Sequence, residues 1–210
     1  MKFSEISSNG LHNRMLEVFK KHHIPYNAKI LDIGCWNGNF LHLLNNLWYK
    51  NLSWCDGFLK NEELGKFVKF SFCNLNEQLP YEDNSFDYII LSEVIEHLEY
   101  PNYLLNEIHR ILKSWWLLLL TSPNISSLLS RILFLFSWYM INFTKKDSKF
   151  SSFPWHIAPF FPHIFQEVFK NKFKIINKNY SNFTIPIIGT KTPIHNRLFS
   201  VSIILTIQKN

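Results

Sequence analysis

The run Ile30-Leu31-Asp32-Ile33-Gly34-Cys35-Trp36-Asn37-Gly38 is where residue types and spacing first point to chemistry. An apolar strand that runs into a glycine turn and then a helix lets the backbone approach a bound ligand closely. A dinucleotide site uses such a turn together with an acidic residue roughly 20 positions later, and Asp56 meets that requirement. The turn alone therefore leaves the ligand open, and downstream residues must decide. Cys35, Cys55 and Cys73 are odd in number and show no CxxC spacing, so neither a disulfide framework nor a metal site is expected from them. His22, His23, His156 and His163 read as surface or packing residues rather than ligands.

These residues need a scaffold, and the chain supplies one. Leu11, Met15, Val18 and Phe19 fall at helical spacing in a covering helix over 11–23 that Pro25 stops. Short apolar runs at 29–33, 52–55, 67–72, 86–91 and 117–120 read as strands, with helices expected at 40–47, 94–98 and 101–112. Strands alternating with helices imply a mostly parallel sheet covered on both faces, with ligands at the carboxyl ends of the strands. A helix at 162–169 comes next, and the runs 173–176 and 201–207 are expected to pair at one sheet edge. The 210 residues, 47% hydrophobic and 18% charged, fit one α/β domain and exclude a disordered or multi-span membrane chain. The net charge of +6 favours anionic surfaces without requiring nucleic acid. Residues 1–10 lack the apolar region of a signal peptide, and with reduced thiols this gives a cytoplasmic expectation.

Five further blocks narrow the ligand: Asn74-Leu75-Asn76-Glu77-Gln78-Leu79-Pro80-Tyr81, Asp83-Asn84-Ser85-Phe86-Asp87, Ser92-Glu93-Val94-Ile95-Glu96-His97-Leu98, Glu107-Ile108-His109-Arg110-Ile111-Leu112-Lys113 and Ser122-Pro123-Asn124. In this order and spacing, with His156-Ile157-Ala158-Pro159-Phe160 as a late block, the chain resembles class I S-adenosylmethionine-dependent methyltransferases of type 11 over about residues 25–180. The resemblance implies a Rossmann-like fold, with Asp32, Gly34, Trp36 and Gly38 around the methionine part of the cofactor. A carboxylate at Asp32 can hold an ammonium group directly or through water. Asp56 would accept from both ribose hydroxyls. Asn74 stands where the family usually has Asp to accept from the adenine amino group, without its charge. Leu75 would offer its N–H and an apolar wall, and Ser92 would lie beside the sulfonium.

The sulfonium is already activated, so the enzyme mainly aligns donor and acceptor. A base is needed only if the acceptor must lose a proton. His97 is the candidate, with a pKa range suited to the task; the competing reading is a packed residue that anchors the helix after the fourth strand. Glu93, four residues earlier on the same helical face, would orient it or face the substrate. The apolar stretch 128–143 carries Arg131 and is too short for a span of roughly 20 residues. As part of an insert at about 125–160 it reads as a lid over the site, or, with Lys145, Lys146 and Lys149, as a peripheral membrane contact. The expected acceptor is a small molecule, a lipid-linked group or a glycan intermediate. An RNA or protein methyltransferase and a non-catalytic binding protein are the alternatives, with a nicotinamide oxidoreductase behind them.

The composition sets a difficulty against this reading. The chain has six glycines and seven tryptophans. Trp36 stands at the middle glycine of the family's Gly-x-Gly-x-Gly turn, where an indole would enter the methionine space. Trp115 and Trp116 stand in the turn the family writes Lys-Pro-Gly-Gly, Trp54 at the second strand's Gly-x-Asp, Trp48 at a helix-ending glycine, and Trp155 before the late His-Ile pair. Trp138 has no such counterpart. Most of these residues are therefore expected to be glycines in the natural protein, written as tryptophan through misreading of one codon. Counting them with the glycines brings the glycine share close to the ordinary value of roughly 7%.

Overall fold

A computed structural model describes residues 3–35, 37–57, 63–140, 143, 156–181, 183–184, 191–192 and 196–210; Trp36, Trp155, Lys145, Lys146 and Lys149 lie outside them. In chain order the elements are α1 (Phe3–Lys20), β1 (Ile30–Ile33), α2 (Asn39–Asn46), β2 (Leu52–Asp56), β3 (Lys69–Phe72), β4 (Phe86–Ser92), α3 (Pro101–Ile111), β5 (Leu112–Pro123), α4 (Leu128–Ser137), α5 (Pro162–Val168), β6 (Phe173–Tyr180), β7 (Phe183–Thr184), β8 (Lys191–Thr192) and β9 (Ser202–Lys209). Seven strands form one sheet in the order β3-β2-β1-β4-β5-β9-β6, while β7 and β8 pair separately. Strands β1 to β5 run parallel, and β9 is antiparallel to both β5 and the edge strand β6. This is the mostly parallel sheet expected from the alternation of strands and helices, in the Rossmann-like form that the resemblance implies.

Period-two alternation in the buried strands sends successive side chains to opposite layers. Ile30, Tyr88, Ile90, Leu117 and Leu119 pack in one core with Met15, Val18 and Phe19 of α1 and Phe40, Leu41 and Leu44 of α2. Leu31, Ile33, Ile89, Leu91, Leu118 and Leu120 pack in the other with Leu104, Leu105, Ile108 and Ile111 of α3 and Phe165 of α5. Each such side chain contributes about 1.5–3 kcal/mol when fully buried. The parallel strands are thereby fixed with all their carboxyl ends on one edge.

One local expectation changes. Residues 94–98 do not form an α-helix; a single 3-10 turn, Ile95–His97, stands there, preceded by Glu93 at φ 54°. Glu93 and His97 therefore share no α-helical face. Helix α4, at the start of the expected insert, leaves most of its apolar side chains at the surface. Ser130 is its buried residue, while Leu135 is 73% and Phe136 80% exposed.

Four of the described tryptophans divide into two groups, while Trp116 is partly buried against both cores. Trp48, Trp115 and Trp138 have φ of 71°, 69° and 61°, in the left-handed region that glycine favours. Trp48 closes α2: its N–H donates to the Asn45 carbonyl and that of Tyr49 to the Leu44 carbonyl, the paired bonds of a Schellman motif with Trp48 at the glycine position. Trp138 ends α4 with one bond to the Phe134 carbonyl, the simpler left-handed cap. Its glycine-like backbone was not legible from the blocks. Trp115 lies where β5 bulges against β4 between Phe86 and Tyr88. Trp54 differs: it is fully buried in β2, 4.6 Å from the Phe70 ring, with no hydrogen-bond partner for its indole N–H among the described residues.

Candidate cofactor and acceptor site

At the carboxyl end of β1 the chain turns at Gly34, whose N–H donates to the Cys55 carbonyl of β2 at 2.9 Å. Gly34 has φ +69°, and a Cβ there would lie 2.7 Å from Val94 Cγ2, the residue following Glu93. Gly38, at φ +72°, would drive a Cβ into the Leu64 side chain. Both glycines are thus required by backbone conformation and by close approach. Gly34→Ala is expected to cost roughly 1–3 kcal/mol, combining strain with the overlap on Val94, and to lower the urea midpoint accordingly.

Asp32 sits two residues earlier and is buried, with Oδ1 lacking a hydrogen-bond partner among the described residues. Burial, and then the charge of Asp56, holds its carboxyl well above the usual carboxylate range. Burial, and then the charges of Asp32 and Asp56, likewise push the Cys35 thiol up. Asp56 is half-buried at the end of β2.

Asn74 follows β3 and is exposed; its Oδ1 accepts from the Asn76 N–H at 3.0 Å, and its Nδ2 donates to Glu77 Oε1 at 2.8 Å. The side chain thus builds a local turn, leaving its oxygen one lone pair for a ligand. Leu75 packs against the sheet's second core. Ser92 ends β4, its Oγ 3.1 Å from Thr121 Oγ1 and 3.4 Å from Met15 Sδ, so α1 covers this strand end.

Glu93 is held in its left-handed conformation by Thr121: its N–H donates to Thr121 Oγ1 at 3.1 Å, and its Oε1 accepts from the same hydroxyl at 3.0 Å. Desolvation pushes its carboxyl up to about 7. Beyond it, Glu96 is fully buried, and desolvation followed by the Glu93 charge pushes its carboxyl up to about 9. The His97 ring meets the His156 ring edge-on, with centroids 4.6 Å apart. The sequence reading places Glu96 in a family block and takes His156 as a surface or packing residue, without setting either beside His97. His156 comes from the far end of the insert, and no local spacing links it to His97.

The remaining blocks are structural. Arg110 donates to the Tyr81 and Leu79 carbonyls and to Asp83 and Glu107, and Glu107 accepts from the Leu79 N–H. Helix α3 thereby clamps the 79–83 loop that leads into β4.

Residues 9–165 match a family model described as a methyltransferase domain, and the chain belongs to that family. A curated relative, an uncharacterised protein of Methanocaldococcus jannaschii, is 33% identical over 105 residues; the match spans 50% of this chain and 45% of that relative, so about half of each. A SAM-dependent methyltransferase structure from Thermotoga maritima is 17% identical with a TM-score of 0.69, covering 96% of this chain and 90% of its own. One from Methanosarcina mazei is 18% identical at 0.65, covering 91% and 96%, and one from Archaeoglobus fulgidus is 21% identical at 0.62, covering 94% of each. At these identities the shared property is the fold.

S-adenosylmethionine is the cofactor that the family implies. The described residues fit it: the Asp32 oxygen without a partner suits an ammonium group, and the Gly34 turn offers backbone at close range.

Proposed function

We propose that this chain transfers a methyl group from S-adenosylmethionine to a small-molecule, lipid-linked or glycan-intermediate acceptor. The observation that carries this reading is the buried, unpartnered Asp32 oxygen beside the left-handed Gly34 turn of a methyltransferase domain. When bound, the cofactor supplies a methyl group activated by its sulfonium, and the C–S electron pair stays on sulfur as the acceptor forms its bond. In this reading Asp32 holds the ammonium, Gly34 and Gly38 admit the methionine part, and Asp56 accepts from the ribose hydroxyls. Leu75 walls the adenine, Asn74 accepts from its amino group, and Ser92 lines the reacting end.

The lipid-linked branch has its own support. Leu135, Phe136 and Trp138 of the α4 end, at 73%, 80% and 83% exposure, present an apolar surface that a peripheral membrane contact or an acyl chain would cover. Among the described residues no helix is long and apolar enough to cross a membrane.

Calorimetry with S-adenosylhomocysteine tests the reading. A Trp36→Gly variant is expected to bind one equivalent and to bind more tightly than the chain with tryptophan; absence of binding by that variant overturns it. Incubating the variant with cell extract and methyl-labelled S-adenosylmethionine then sorts the acceptor: label in the organic phase marks a lipid-linked group, and label in the aqueous phase a small molecule or glycan.

A further inference from the structure

Glu96, His97 and His156 each offer one ligand atom, and all three atoms lie within 4.8 Å of one another. Two chain segments make this cluster. The 3-10 turn Ile95–His97 supplies the first two residues, and the N–H groups of Ile157 and Ala158 both donate to the Glu96 carbonyl, at 2.9 and 3.0 Å, strapping His156 alongside. The His156 side chain is only 4% exposed and Glu96 is fully buried. Neither carboxylate oxygen of Glu96 has a hydrogen-bond partner among the described residues; His156 Nε2 stands 4.0 Å from Oε1, beyond hydrogen-bond reach. An ionised carboxylate buried this way is expensive unless it takes up a proton or a cation pairs with it, and a bound cation is what restores its charged form.

We propose that Glu96, His97 and His156 bind a divalent cation, and, resting on the methyl-transfer reading above, that this ion holds an oxygen donor of the acceptor. One carboxylate and two imidazoles suit Zn²⁺, Co²⁺, Fe²⁺ or Mn²⁺ better than Mg²⁺ or Ca²⁺. Three protein ligands leave a coordination position open for water or substrate. Ligand atoms about 2 Å from one ion stand roughly 3–4 Å apart, so the three groups need close by only about 1 Å. The cluster is also well placed, because Val94, two residues before Glu96, packs directly over the Gly34 turn.

This assignment changes what His97 does. A coordinated imidazole accepts no proton, so His97 serves as a ligand and not as a base. The ion lowers the pKa of an acceptor hydroxyl, whose proton leaves to water. The oxygen pair then forms the C–O bond, and the C–S pair remains on sulfur.

The test is titration of chelator-treated protein with Zn²⁺ and Co²⁺, followed by calorimetry and by the visible absorption of Co²⁺. One ion per chain is expected, with Co²⁺ bands of a nitrogen and oxygen site. Glu96→Gln and His156→Gln are each expected to weaken binding by about 10- to 100-fold or more while near-ultraviolet circular dichroism stays native. Absence of binding at millimolar metal, equal affinity in folded variants, or thiolate charge-transfer bands that place the ion on a cysteine would overturn the site. S-adenosylhomocysteine binding, measured on the same samples, reads the cofactor site separately. Retained nucleoside binding without a metal site would leave the methyltransferase reading standing and sink this one.

Discussion

Replacing Trp48, Trp115 and Trp138 together by glycine is expected to stabilise the protein by roughly 3 kcal/mol, or about 6–12 °C in Tm for a chain of this size. A left-handed backbone costs an L-residue roughly 1–2 kcal/mol, and glycine gives back about 0.5–1 kcal/mol through its greater freedom when unfolded, leaving about 1 kcal/mol per site. Little packing is lost, since the three indoles are 75%, 71% and 83% exposed. Trp48 forfeits a Lys50 ammonium 5.2 Å above its ring, and Trp138 an edge contact with Phe134 at 5.8 Å. The sites are independent caps and a bulge, so their effects should add. Trp54→Gly is the internal contrast: it removes a fully buried indole from the core and is expected to destabilise by about 3–5 kcal/mol. Thermal melts of the triple variant and of Trp54→Gly would check both signs; a triple variant no more stable than the parent would remove the strain argument. Intact mass of the protein from its native source decides whether these positions carry glycine there.

How much of this was legible in the sequence depends on the range of the contacts. The Gly34 turn, Asp32 and Asp56 could be read because strand, turn and strand-end acid follow local rules: β1 is a short apolar run, and left-handed turns select glycine. The sheet was legible for the same reason, with alternating apolar runs of strand length. Residues 94–98 misled because their apolar spacing fits a helix, whereas Thr121 on the neighbouring strand fixes Glu93 at positive φ and leaves room for only one 3-10 turn after it. The partnership of Glu96 with His156 was invisible because two backbone bonds to the Glu96 carbonyl create it across the whole insert. The apolar run in α4 could not announce that it faces solvent, since amphipathic spacing says which residues share a face but not what covers it. The blocks around Leu79 and Arg110 were legible as family signature, yet their role as a clamp is a three-dimensional fact.

Asp32→Asn is expected to move stability and cofactor binding in opposite directions. The Asp32 carboxyl is fully buried, one of its oxygens lacks a partner among the described residues, and Asp56 repels its charge, so its folded pKa lies above its unfolded value. The folded state therefore binds the proton more tightly, and stability falls as pH rises from the unfolded pKa near 4 through the folded one. At neutral pH the protein without ligand carries this penalty in full or in part. Asparagine cannot ionise, so the variant should gain on the order of 1–3 kcal/mol at neutral pH, and the gain should vanish as pH approaches 4. Binding responds the other way, because a charge-assisted bond from an ammonium group to a carboxylate is worth roughly 1.5–3 kcal/mol and its loss weakens S-adenosylhomocysteine about 10- to 100-fold. Urea denaturation of both proteins across pH, with calorimetry at neutral pH, measures the two effects. A variant that binds the ligand as tightly as the parent would show that Asp32 does not hold the ammonium. A stability gain over the parent no larger at pH 7 than at pH 4 would show that the buried charge is already compensated within the fold, and that this turn is not held under strain for its ligand.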